Sequence, residues 1–204
     1  MEFRRVLFRS VTTGDLEYLC ESFQSARHGS IAQAKAIENG GWGVKIMVVP
    51  ASGGLPSAAL KSDLLSFLTE PQRKPLCISV SVVDPEYVYV DVTATITVLQ
   101  NYYPAAVLAE VRQRVAAYLS PVYQDPATGL FTHAFGRSLY LSDLYAIIDG
   151  TMGVDHVSLT APAADVLVSE NQIANVGTIT LTAQNPSGGQ AFFSGPADTR
   201  EAAK

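Results

Sequence analysis

Tyr87-Val88-Tyr89-Val90-Asp91-Val92-Thr93-Ala94-Thr95-Ile96-Thr97-Val98-Leu99 decides how this chain is read. Val90, Val92, Ala94, Ile96 and Val98 fall on one side of an extended backbone, with Asp91, Thr93, Thr95 and Thr97 on the other. That alternation predicts a strand with one face in a core and the other wet or paired. Just beyond it the period changes from two to about 3.6. Pro104 suits a first helical turn, and Val107, Leu108, Val111, Val115, Tyr118 and Leu119 then form a helical stripe. Glu110 and Arg114 lie four apart on the polar side, and the helix ends before Pro121. Upstream, Ile78, Val80 and Val82 alternate with Ser79 and Ser81 before an Asp84-Pro85 turn, which predicts a second, half-buried strand.

Moving outward toward the N-terminus, Thr12-Thr13-Gly14-Asp15 with Leu16, Leu19, Cys20 and Phe23 predicts a capped helix over 13–24. Asn39-Gly40-Gly41 separates two extended runs, 31–37 and 42–49, and predicts a hairpin. In its second strand Val44, Ile46 and Val48 point one way. Lys45, Met47 and Val49 point the other, toward solvent or a partner. Pro56 then opens an amphipathic helix over 57–69, with Leu60, Leu64, Phe67 and Leu68 on its apolar face.

Toward the C-terminus, 121–135 is rich in Pro, Asp, Thr and Gly. It reads as a loop pinned by Tyr123, Phe131 and Phe135, a candidate contact loop. Ser142 with Asp143 is expected to cap a helix carrying Leu144, Ile147 and Ile148, and 154–159 and 176–182 read as strands. The succession of elements is α+β: two small mixed lobes of short antiparallel or mixed sheets with packed amphipathic helices, over 11–84 and 85–184. Residues 185–204 are expected to form a flexible tail. Residues 1–10 end in Leu7-Phe8-Arg9-Ser10, which looks like a translated sequencing-adaptor end and is expected to be a non-native scar.

Composition narrows the function. The 204 residues are 48% hydrophobic and 16% charged, enough to bury a core and too apolar for disorder. The net charge of −5, with no basic cluster past residue 10, argues against a nucleic-acid partner. No apolar run reaches the roughly 20 residues of a membrane-spanning helix. Cys20 and Cys77 form no CxxC, so neither a zinc site nor a disulfide framework is indicated.

No residue of the sequence is expected to be catalytic, cofactor-binding or metal-binding. His28, His133 and His156 each lack a second ligand at the spacings metals favour. Ser52-Gly53-Gly54 and Gly40-Gly41 lack the arrangement of a phosphate-binding loop. A triad of Ser142, His133 or His156, and Asp155 has no G-x-S-x-G elbow to present the serine. Asp143, Asp149 and Asp155 are explained by their positions at a helix start, a helix exit and a strand exterior. The expectation is a protein that is not an enzyme. The alternative is a hydrolase or small-ligand-binding domain using a cleft between lobes, with Asp143, Asp155 and His156 as its polar residues.

Gly136-Arg137-Ser138-Leu139-Tyr140-Leu141-Ser142-Asp143-Leu144-Tyr145, followed by Ile147, Ile148, Asp149-Gly150 and Gly153-Val154-Asp155-His156-Val157, resembles the C-terminal part of baseplate J-like proteins. Thr12-Thr13-Gly14-Asp15-Leu16-Glu17, Ala32-Gln33-Ala34-Lys35-Ala36, the junction from Val48-Val49-Pro50 to Gly53-Gly54-Leu55-Pro56-Ser57, and Val90-Asp91-Val92-Thr93-Ala94 are similar to that family in the same order. The resemblance spans about residues 11–183 and rests on order, since each motif alone is a turn, cap or strand signal. Gln33 stands where the family commonly has arginine in an Ala-Arg-Ala-Lys run. What the resemblance implies is a structural subunit of a contractile-tail baseplate wedge. Such a subunit forms inter-subunit contacts in the baseplate ring and supports tail assembly and sheath triggering, without catalytic residues or cofactor. The implied partners are a lysozyme-like-fold wedge protein, an I-like tail protein, and itself or a J-like paralogue. The implied location is the virion tail baseplate, or a related injection particle assembled in the bacterial host cytoplasm.

Overall fold

The structure is a computed structural model that describes residues 12–70, 78–126 and 128–184. The segments read above as an adaptor scar and a tail, 1–10 and 185–204, lie outside the described residues. The elements in order are α1 (Thr13–Glu21), β1 (Gln24–Ser25), β2 (Gly29–Glu38), β3 (Gly43–Pro50), α2 (Ala58–Leu68), β4 (Ser79–Val83) and β5 (Glu86–Val98). They continue with α3 (Pro104–Tyr118), α4 (Leu141–Asp149), β6 (Val154–Ala161) and β7 (Gln172–Gln184). The fold is α+β, with one sheet in the order β1-β2-β3-β4 and another in the order β6-β5-β7.

Two compact units emerge, and neither is a contiguous stretch of chain. Of the described residues, one takes in those of 12–89 together with those of Leu119–Leu139 and Leu167–Asn175; the other comprises Val90–Tyr118, Tyr140–Val166 and 176–184.

In the first unit, Thr12 and Asp15 form a reciprocal capping box that starts α1. The helix stops at Glu21, short of the expected residue 24. Ser22 and Phe23 turn back onto the last carbonyls, and Gln24 already pairs with Ser30. Ser57 caps α2 by accepting from the Leu60 N–H. Leu60, Leu64 and Leu68 are buried along one side of α2 and meet Leu16 and Cys20 of α1 over Ala34, Ala36, Val44, Ile46 and Val48. A fully buried leucine contributes about 2 kcal/mol. The same burial pushes the Cys20 thiol pKa up to about 12.

β2 and β3 are antiparallel, and β4 joins β3 in parallel after the α2 crossover. Cross-strand pairs Ala34–Val48 and Ala36–Ile46 sit on the helix side, while Gln33–Val49 and Lys35–Met47 share the opposite side. That opposite side was expected to meet solvent or a partner. Only Lys45 is exposed there: Met47 and Val49 are buried, because this unit covers both faces of its sheet. Gln33 identifies the cover. Its amide nitrogen donates to the carbonyls of Pro121 and His133, at 2.5 and 2.8 Å, which holds those two residues at that face.

In the second unit, the alternation of β5 is carried through: Val90, Val92, Ala94, Ile96 and Val98 are buried, and Thr93, Thr95 and Thr97 are half-buried on the reverse. β6 pairs antiparallel to β5 through Ile96–Val157 and Thr97–His156. The stripes Val107–Val111–Val115 of α3 and Leu144–Ile148 of α4 are buried as well. Arg114 holds Glu110 at 2.8 Å and reaches across to the Gly150 carbonyl, linking α3 to the exit of α4. Along β7, the bonds from the Thr178 N–H to Asp91 and from the Thr182 hydroxyl to the Ala94 carbonyl advance in step, so β7 runs in the same direction as β5. Gly177 is required at this approach, since a Cβ there would strike the Asp91 carboxylate and the Val90 carbonyl.

Candidate functional site

The residues singled out from the sequence occupy structural positions. Asp143 lies in the first turn of α4 and accepts from the Tyr118 hydroxyl at 3.3 Å. Ser142 does not cap that helix. Tyr140 is the N-cap, and the terminal N–H of Leu141 donates to Asp165 at 2.9 Å, a carboxylate from 24 residues downstream. Asp149 is exposed at the helix exit, and Asp155 and His156 are exposed on β6, where the register against β5 shifts. His133 is buried in the covering loop, with its carbonyl held by Gln33. Among the described residues, no group of three or more His, Cys, Asp and Glu side chains could hold a metal ion.

His28 has a partner that spacing alone could not show. Its Nδ1 lies 2.6 Å from Asp63 Oδ2 on α2, and the Ser25 hydroxyl donates to the same oxygen at 3.0 Å. The hydrogen bond from His28, then that from Ser25, hold the Asp63 carboxyl below its ordinary range. The serine is hydrogen-bonded to the carboxylate, not to the imidazole, so the cluster lacks the nucleophile–base contact of acyl-transfer sites. Its effect is to tie the β1–β2 turn to α2.

What remains is surface. The candidate contact loop is a small hairpin: Gln124 bridges Phe131, and the Asp125 N–H donates to Leu130. Tyr123, Phe131 and Phe135 turn half inward and Gln33 pins the base, while Leu130 stands out at the tip. Trp42, 77% exposed at the tip of the β2–β3 hairpin, is the most conspicuous side chain of the first unit. In the second unit Tyr103 and Met152 project to solvent, and a groove along the outward side of α3 is lined by Ala105, Leu108, Ala109, Arg112, Gln113 and Ala116. On the threonine face of the β6-β5-β7 sheet the hydroxyls of Thr95 and Thr182 meet at 3.1 Å, with Thr178 and Thr180 exposed beside them. Large exposed aromatics and a hydroxyl-lined sheet face suit contacts with other proteins. No helix among the described residues is long and apolar enough to cross a membrane.

Comparison with known proteins agrees with this surface-dominated picture. Residues 90–182 match the family model of the baseplate J-like protein C-terminal domain. Nineteen chains of known structure match, among them one from the cryo-EM structure of the anti-feeding prophage (AFP) baseplate, 6-fold symmetrised. It superposes with a TM-score of 0.51 at 15% identity, over 86% of this chain and 38% of that one. At that identity the likeness is one of fold, and this chain spans well under half the length of the AFP baseplate chain. No curated protein matches. The resemblance read from the order of the sequence motifs is therefore met by a family model across β5 to β7 and by a baseplate fold across most of the chain.

Proposed function

We propose that this chain is a structural subunit of the baseplate of a contractile injection particle. The observation that carries this reading is the match of residues 90–182 to the baseplate J-like C-terminal domain. The shared fold with an AFP baseplate chain supports it over the rest of the chain. Within the baseplate the chain acts as a wedge component: it holds neighbours in the ring and passes receptor engagement on to the sheath. Its partners are a lysozyme-like-fold wedge protein, an I-like tail protein, and a second copy or J-like paralogue. Its work is mechanical rather than catalytic, consistent with carboxylates that serve helix ends and loop ties. No observation favours the hydrolase alternative, since Asp143 is engaged by Tyr118 and Asp155 and His156 lie on an exposed strand.

The experiment is co-expression of the full chain, affinity-tagged, with the tail proteins encoded around it. Co-purification of wedge proteins supports the reading. A chain that ignores all of them, and whose Asp143, Asp155 and His156 alanine variants lose a hydrolytic or ligand-binding signal without losing stability, sinks it.

A further inference from the structure

Sheet edges are not treated alike by this sequence. An edge strand leaves a row of unpaired N–H and C=O groups, which proteins blunt with charge, proline, bulges, brevity or a cover. β1 has two residues and β4 five. On β2, the N–H of Ala36 is taken by the Glu17 carboxylate of α1. β6 carries Asp155, shifts register twice against β5 and is followed by Pro162.

Among the described residues, the part of β7 from Gly177 to Gln184 has none of these devices, while the start of the strand is covered, the Gly136 N–H donating to the Gln172 carbonyl. The strand is thirteen residues long, has β5 as its one neighbour among the described strands, and contains no Asp, Glu, Lys, Arg, His or Pro. Thr178, Thr180 and Thr182 are exposed on the hydroxyl-lined face, which the Thr95–Thr182 contact identifies, and Leu181 is buried on the other.

The strand is also complementary to itself. When two copies pair antiparallel about an axis through Thr180, Thr178 faces Thr182 and Ile179 faces Leu181. Residues directly opposite in such a pair point to the same side of the sheet. Hydroxyls therefore stay on the hydroxyl face and apolar side chains on the helix side. The chain as a whole is acidic, yet no charge on β7 meets its like across this axis.

We infer that β7 is the seam at which two copies of this chain join, antiparallel and edge to edge, into one continuous six-stranded sheet. The inference rests on the assembly reading above, which it deepens by naming one surface and its occupant.

Analytical ultracentrifugation of the full chain tests it, using the wild type, Thr180→Lys, Thr180→Glu and an equimolar mixture of the two variants. Thr180 is exposed, so both variants should keep the fold, which circular dichroism and thermal melting verify. The expected result is a wild-type mass twice that of the chain, monomers for each variant alone, and a dimer restored in the mixture as ammonium meets carboxylate across the axis. A wild type that remains monomeric at every concentration overturns the inference and leaves the edge to a strand of another protein or to this chain's own residues after 184. Variants that still dimerise alone overturn it too, as do monomeric variants that fail to pair when mixed. Incorporation into particles is scored separately. A monomeric chain that enters baseplates removes the seam and keeps the assembly reading, whereas a β7 dimer that never enters them removes the assembly reading alone.

Discussion

Gln33 and His133 stand 100 residues apart and meet through one hydrogen bond, the buried amide nitrogen donating to the His133 carbonyl at 2.8 Å. The same nitrogen donates to Pro121. One side chain thus satisfies two main-chain acceptors and holds both ends of a loop against the sheet.

Replacing that amide tests how much the loop depends on it. Gln33→Leu removes the amide donor to two main-chain carbonyls and should cost about 2–4 kcal/mol. Gln33→Glu should cost more at neutral pH, because it sets a carboxylate against two carbonyl oxygens, and less in acid, where the protonated group can donate one bond. Urea unfolding of the variants at pH 7 and pH 4.5 provides the comparison.

The start of α4 makes a second test. Asp165→Ala removes the acceptor of the Leu141 N–H and should lower stability by about 1 kcal/mol. Ser142→Ala should change little, since Ser142 is an exposed residue inside the helix. The reverse order in thermal melting would return the cap to Ser142.

Two glycines with positive φ separate backbone strain from crowding. Gly153 has φ +92°, and a Cβ there would lie 2.7–2.9 Å from Tyr102 and Val107 side-chain atoms. Gly153→Ala combines strain with overpacking and should cost about 3 kcal/mol or more. Gly129 has φ +68° with open space around it, so Gly129→Ala should cost only about 1 kcal/mol. Denaturant midpoints of the two variants, measured side by side, decide the matter.

The tie between the β1–β2 turn and α2 predicts a pH dependence. Asp63 is held below its ordinary range by His28 and then Ser25, so its contribution is present above the unfolded carboxyl pKa of about 4 and is lost as pH falls through the lower folded value. Asp63→Asn should flatten that part of the acid limb in melting curves taken from pH 5 to pH 2. An unchanged acid limb in the variant would show that the tie contributes nothing to folding.

Much of the secondary structure was legible in the sequence because it is written in local periods. The two-residue period of 87–99 and the helical stripe after Pro104 became β5 and α3 with small changes at their ends. What local reading could not reach are features made by distant residues. Asp165 caps α4 from 24 positions away, and His28 finds Asp63 across 35. Met47 and Val49 are buried on the side of the sheet where Gln33 bonds a loop that returns more than 70 residues later. β7 begins four residues before the expected strand, because Gln172 is drawn into line by the Glu86 carboxylate at 2.7 Å and the Gln-Ile-Ala-Asn stretch carries no alternation of its own. The exposed surfaces were legible only in part. Alternation marked the threonine face of β5, but the Thr95–Thr182 contact and the undefended edge of β7 require the strand order.

Whether the chain is part of a baseplate is read from where it resides in a finished particle. Contractile particles would be purified from cells that make an epitope-tagged full chain and examined by immunogold electron microscopy. Label is expected at one end of the particle, on the baseplate, in preparations washed free of soluble protein. Intact particles with normal baseplates and no label, while the tagged chain stays in the soluble fraction, would contradict it.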